Sequence, residues 1–196
     1  MKKGLIICIA IAVVVFCVAS YGVNLYNGLV EKQENATTAL ADLQSTYQRR
    51  MDLLTQAAKA VKAYAKHENE TYIGVTEARA KATQITLDPS NLTSEKMQEF
   101  MNAQGEVSSA LSRLMVVAEA YPELKANENY KKIMIQIEGA ENRINEARQN
   151  YNNAVQEFNV GIRVFPANIL NVFFGFDKMA KFEAEANAQK APDLDL

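Results

Sequence analysis

The stretch "AEAYPELKANENY", residues 118–130, decides the fold. It sets Pro122, one of only four prolines in the chain, between two long runs of helical periodicity, and an asparagine follows at 127. Proline lacks the amide that would continue a hydrogen-bond ladder, yet it is well placed at the start of a new turn. Asn127 offers a side-chain oxygen to the first free amides of whatever helix follows it. One helix is therefore expected to stop before Pro122 and another to start at Asn127. A connection this short makes the two antiparallel neighbours.

The runs on either side carry the seams such a hairpin needs. Upstream, Met97, Phe100, Gln104, Val107, Leu111, Leu114, Ala118 and Tyr121 follow steps of three and four, a seam of the coiled-coil type with one polar member, Gln104. Thr93 or Ser94 can cap its start, with Glu95 in the first turn. Downstream, Tyr130, Ile133, Ile137, Ala140, Ile144, Ala147, Tyr151, Ala154 and Phe158 form the longest seam, predicting a helix from Asn127 to Phe165-Pro166, roughly 60 Å long. Residues 24–87 hold no proline and place Leu40, Leu43, Tyr47, Leu54, Val61 and Tyr64 at helical spacing, until Asp88-Pro89-Ser90-Asn91 ends the run. Beyond Pro166, "NILNVFFGFDKMAKF" reads as a last helix and "QKAPDLDL" as a frayed acidic tail. The fold class is all-α: an elongated antiparallel bundle of three to four long helices behind an N-terminal transmembrane helix.

Composition agrees. The 196 residues include eight Gly and no Trp, in a profile rich in helix formers. Setting aside Lys2 and Lys3 leaves 19 basic against 23 acidic residues, about −4, the wrong sign for a nucleic-acid partner. Cys8 and Cys17 both lie in the N-terminal apolar run, so no disulfide staples the rest, and the bulky Ile7 and Phe16 before them do not make a lipidation box.

That run, "GLIICIAIAVVVFCVASYGV", is twenty uncharged residues from Gly4 to Val23, about 30 Å as a helix and therefore one bilayer crossing. A cleaved signal peptide is the rival reading, since "VAS" at 18–20 ends in a small residue. The helical pattern continues through "NLYNGLVEKQENATTAL" without a turn signal, which favours an anchor. Lys2 and Lys3 precede the span, and the first charge after it is Glu31. The positive-inside rule then puts residues 1–3 in the cytoplasm, 4–23 in the membrane, a bundle of residues 24–188 on the outer side, and 189–196 as its tail.

Read together, "RLMVVAEAYPELKAN" (113–127), "ENRINEARQNYNNAVQEFN" (141–159) and "FPANILNVFFGF" (165–176) resemble the LemA family. "YNGLV" (26–30), "RRMDLL" (49–54), "YAKHE" (64–68) and "EAR" (77–79) fall in matching order, so the resemblance covers nearly the whole chain. It implies a bacterial envelope protein with one N-terminal anchor and an antiparallel helical bundle, and it brings no catalytic residues to carry over. Genes of the family often lie near those of membrane metalloproteases or other envelope proteins, which implies protein partners. Two departures stand out: Leu40 occupies the place of a usual tryptophan, and Thr55 stands where many members have proline. Without that proline the first helix is expected to run straighter.

Little in the chain points to chemistry. "HENET", His67 to Thr71, is one residue from the zinc motif HExxH, but its fifth position is Thr71 and the chain has no second histidine, so a solvated helix face is the better reading. No glycine-rich phosphate loop or histidine-activated nucleophile is recognisable. No enzyme activity, cofactor, metal or small-molecule substrate is expected. Two constellations remain. Glu141, Arg148, Asn152, Asn159 and Arg163 are spaced seven, four, seven and four, within about 60° of one another on a helix, as a polar stripe beside the apolar seam. The stripe either bonds to facing elements and fixes register or lines a groove for a partner. Phe173, Phe174 and Phe176 crowd around Gly175 and cannot all point one way. Some should cap the bundle and at least one should stay exposed as an interface for a partner, a second copy or a membrane surface.

Two functions fit: a non-enzymatic, membrane-tethered scaffold or adaptor, or an accessory subunit regulating an envelope enzyme such as a membrane metalloprotease. They differ in whether a partner enzyme changes its turnover when this protein is added.

Overall fold

A computed structural model describes residues 2–64 and 69–183. Helix α1, Lys2–Tyr64, runs unbroken from the apolar span into the bundle. Its large apolar side chains from Leu5 to Val23 are exposed, whereas Leu29 and the core residues after it are buried. Thr55, at the position of the missing proline, returns its hydroxyl to the Met51 carbonyl at 2.9 Å, and α1 passes through it as one helix. Leu40, in the tryptophan's place, is fully buried.

The Pro122 hairpin forms as its residues dictate. Helix α3, Ser94–Glu119, is capped by Thr93, whose hydroxyl accepts from the Lys96 amide. Pro122 opens the single turn α4, Pro122–Ala126. Asn127 then caps α5, Glu128–Gly161, accepting from the amides of Asn129 at 2.9 Å and Tyr130 at 3.1 Å. The Asn127 amide group also donates to the Tyr64 hydroxyl at 2.8 Å, tying the hairpin to the far end of α1.

Helix α5 lies antiparallel to α1 in one continuous register: Asn127 beside Tyr64, Glu141 beside Arg50, and Gly161 beside Leu29. A Cβ on Gly161 would sit 3.0 Å from Leu29 Cδ2, so the absent side chain permits this close approach. The buried residues form three clusters along the axis. Leu54, Val61, Val75, Val107, Leu114 and Ile137 belong to the distal one. Leu40, Leu43, Tyr47, Phe100, Tyr151 and Phe182 make the middle one, and Leu29, Phe158 and Ile162 the one nearest the apolar span.

Six α-helices are present among the described residues, which corrects the expectation of three to four. Residues 24–87 are not one run: α2, Asn69–Gln84, folds back on α1, with Lys62 Nζ 4.1 Å from the Tyr72 ring and Arg79 paired to Asp52 at 3.0 Å. No proline or glycine marks that reversal, and helical spacing continues on both sides of it. Helix α5 stops at Gly161, short of Pro166. The last helix, α6, spans only Ala167–Phe174, because Gly175 takes a left-handed conformation with φ of 73° and ends it. Residues 175–183 then continue without regular secondary structure, as a strap lying back along α5. His67, Glu68 and the tail 189–196 fall outside the described residues.

Candidate functional site

The polar stripe of α5 meets three different surroundings. Glu141 pairs with Arg50 of α1 at 3.0 Å. Arg50 is only 3% exposed, and its guanidinium also reaches Ser108 at 3.3 Å, the Gln104 carbonyl at 3.4 Å and the Gln104 side-chain oxygen, while lying 5.3 Å from the Tyr47 ring centroid. This buried centre joins α1, α3 and α5 at one level. Arg50 Nε and Gln104 Nε2 find no hydrogen-bond partner among the described residues, so part of the centre's attraction goes to offset desolvation.

Lower on α5 the stripe holds the strap. The Asn152 amide group donates to the Phe182 carbonyl at 2.8 Å, and its oxygen accepts from the Phe182 amide at 2.8 Å. Asn159 clasps Met179 in the same two-way fashion, at 2.9 Å each way. Tyr151 donates its hydroxyl to the Ala180 carbonyl at 2.8 Å, and Asn171 secures Phe176 through both backbone groups. The spacing has a simple basis. Seven residues of helix rise about 10.5 Å, and three residues of stretched chain, Met179 to Phe182, cover about 10 Å. Two asparagines a heptad apart therefore match two strap residues three apart.

Arg148 lies between, its guanidinium carbon 5.7 Å from the centroid of the Phe182 ring. Phe182 itself is buried, edge-on to Tyr151 at 5.3 Å and Phe100 at 6.4 Å. Burial pushes the Tyr151 phenol up to about 12. Arg163, the last member of the stripe, is exposed beyond the end of α5. What faces Arg148, Asn152 and Asn159 is thus the chain's own strap.

The three phenylalanines part company. Phe174 and Phe176 pack on Tyr26 of α1, with ring centroids 5.2 and 5.5 Å away, and Phe176 also meets Phe158 at 5.8 Å. Phe173 is 82% exposed.

Sequence reasoning missed Arg50 and the strap. Arg50 lies on the α1 seam, between Tyr47 and Leu54 in the three-four series, and that position signals burial. For the strap the signal was Gly175, a helix stop placed before Met179 and Phe182. Elsewhere, an open groove between α2 and α3 is lined by small and charged residues, among them Lys81, which pairs with Glu106 at 2.9 Å. The hydrogen bond to Glu106, reinforced by that carboxylate's charge, holds Lys81 above its ordinary range. Among the described residues no three His, Cys, Asp or Glu side chains gather where they could hold a metal ion.

Comparison with known proteins places this architecture. The chain is 26% identical over 184 residues to magnetosome protein MamQ 2 of Paramagnetospirillum magneticum, covering 85% of this chain and 67% of that protein. It is 24% identical over 174 residues to magnetosome protein MamQ of Magnetospirillum gryphiswaldense, covering 80% and 64%. It is 27% identical over 158 residues to protein LemA of Metamycoplasma hominis, covering 81% and 68%. The chain thus spans about two thirds of the length of these relatives. The LemA family model matches residues 39–196, which takes in the α3–α5 hairpin, the asparagine stripe and the strap, so the chain belongs to the LemA family.

Proposed function

We propose that the protein is a non-enzymatic scaffold or adaptor of the bacterial cell envelope, anchored by residues 4–23 in the cytoplasmic membrane, with its bundle on the outer side. The observation that carries this reading is the continuity of α1. One helix of 63 residues serves both as the uncovered apolar span and as the central strut of the bundle, with no linker between them. A tether of that kind fixes the bundle's height and direction relative to the membrane, as a platform requires. Lys2 and Lys3 before the span, and the lack of charge until Glu31 after it, support the orientation. The distal half offers exposed apolar side chains for partners, Val116 on α3 and Ile135 on α5 among them.

The test is site-specific photocrosslinking in intact cells from residues 116 and 135, followed by identification of the captured proteins. Discrete envelope partners are expected, and capture should disappear when the span is replaced by a cleavable export signal. Capture of nothing beyond bulk membrane proteins, in proportion to their abundance, refutes the reading. An envelope enzyme whose turnover changes when the purified chain is added would establish the regulatory-subunit alternative instead.

A further inference from the structure

The end of the bundle nearest the span carries an apolar surface that no other described residue covers. Val160 and Val164 at the end of α5 are exposed, Phe165 is 79% exposed, and on α6 Ile169, Val172 and Phe173 share one face, the last two at 82%. Ala167 and Phe174, by contrast, turn inward, Ala167 buried and Phe174 on Tyr26. From Val160 to Phe176, seventeen residues contain a single charge, Arg163, and no acid.

The position of this surface identifies what covers it. Helix α6 and the end of α5 pack on α1 at Tyr26 and Leu29. Those residues lie three and six positions past Val23, or about 4 to 9 Å beyond the hydrocarbon span. The uncharged stretch of α1 does not end at Val23 but runs from Gly4 to Val30, 27 residues or roughly 40 Å, the thickness of a bilayer with its headgroup layers. The exposed face is therefore held at headgroup depth by the covalent continuity of α1. Tyr21 and Tyr26, both exposed, supply the aromatic side chains that favour this level.

We propose that the α5 terminus, Phe165 and α6 form a second membrane contact, seated in the headgroup layer with Ile169, Val172 and Phe173 reaching the acyl-chain edge. The proposal rests on the anchor reading above. Such a contact adds buried apolar area to the single span and prevents the bundle from tilting about its foot.

The chain has no tryptophan, so a single introduced one reports its surroundings without background. Full-length Phe173→Trp is reconstituted in phosphatidylcholine vesicles, with and without lipids brominated near the headgroup end or near the terminus of the acyl chain. Val14→Trp in the span and Ile135→Trp on the distal bundle serve as references, and Val172→Trp replaces Phe173→Trp should the latter lose helical signal. The expected result is blue-shifted emission from residue 173 and loss of intensity with bromine near the headgroup end more than near the chain terminus. Residue 14 should be quenched by the deeper bromine, and residue 135 should stay water-like and unquenched. Water-like, unquenched emission at 173 with residue 14 quenched overturns the surface contact and leaves the anchor intact. Blue-shifted emission at 173 that ignores bromine means a protein cover, such as a second copy, and also overturns it. An unquenched residue 14 removes the anchor reading and this proposal together.

Discussion

Replacing Asn152 by alanine removes two hydrogen bonds at once, one to each backbone group of Phe182, while leaving the Phe182 ring in its pocket. A neutral hydrogen bond contributes a net ~0.5–1.5 kcal/mol, so the clasp holds about 1–3 kcal/mol against local opening. The ring adds a comparable amount through burial, about 1.5–3 kcal/mol. Asn159 holds Met179 independently, two helical turns away. The strap should therefore stay in place in the variant but open more often at its Phe182 end. An opening made easier by 1–3 kcal/mol speeds amide exchange roughly 5- to 140-fold, at tenfold for every ~1.4 kcal/mol. Hydrogen exchange on the full chain in micelles, resolved to residues 175–183, measures this directly. The Phe182 amide, which also loses its acceptor, should accelerate by at least that factor, Met179 by much less, and the amides of α3 not at all. Unchanged exchange at Phe182 refutes the clasp. Equal acceleration throughout α1, α3 and α5 refutes it differently, by showing that the strap is inseparable from global unfolding.

Arg50→Met strands the neutral Gln104 amide in the core and leaves the part-exposed Glu141 carboxylate unpaired, and should cost about 1–3 kcal/mol in urea unfolding, while Arg50→Met with Gln104→Leu should recover part of it, because the stranded amide is then gone. An additive double variant would show that the two residues are not coupled. Tyr151, pushed up to about 12 by burial, lies above its ordinary value of about 10, so its contribution is complete below about pH 10 and lost as pH rises towards 12. Unfolding free energy should fall across that window, and less so in Tyr151→Phe. Arg148→Ala removes a cation over an aromatic ring rather than a buried ion-pair partner and should cost only ~0.5–1 kcal/mol, by the same unfolding measurement. Glu157→Cys, at an exposed position, should be labelled by a membrane-impermeant thiol reagent once the outer barrier is opened, and protection until the inner membrane is lysed would reverse the orientation.

The sequence was most legible where one residue controls one backbone event. Thr93, Pro122 and Asn127 each stop or start a helix by satisfying or lacking an amide, and each acts at the expected place. The seams were legible for the same local reason: spacing of three and four fixes the buried face whatever covers it. Legibility failed where the partner is remote. The Asn152 and Asn159 stripe is visible as a pattern, but a strap and a facing helix place the same demand on a helix surface, so α5 alone cannot distinguish them. The sequence from Tyr64 to Asn69 holds no proline or glycine, so the two helices α1 and α2 read as one longer helix. The exposed α6 face shows a related limit, since apolar spacing reveals a face but not whether protein or lipid covers it.

The strap also explains why the stripe is asparagine. Helix α3 begins at Ser94, nearly two turns before the Phe100 ring that meets Tyr47 at 5.0 Å, and contributes nothing to the cluster around Leu29. Below that level α1 and α5 would be a pair with one side of their shared seam open to water. Phe182, Met179 and Phe176 close that side, filling the third place in the bundle that α3 leaves empty. A helix in that place would satisfy its own backbone. A stretched segment cannot, and its amides and carbonyls, set against an apolar seam, need partners from the surface they cover. Only a side chain with a donor and an acceptor on one short stem can serve both groups of a single residue, which is the chemistry of asparagine at 152, 159 and 171. Aspartate at any of these sites would keep the acceptor and turn an oxygen towards the strap carbonyl. The half of the bundle nearest the membrane is thus closed by its C-terminal segment, and that closure depends on three side-chain amides rather than on a third helix.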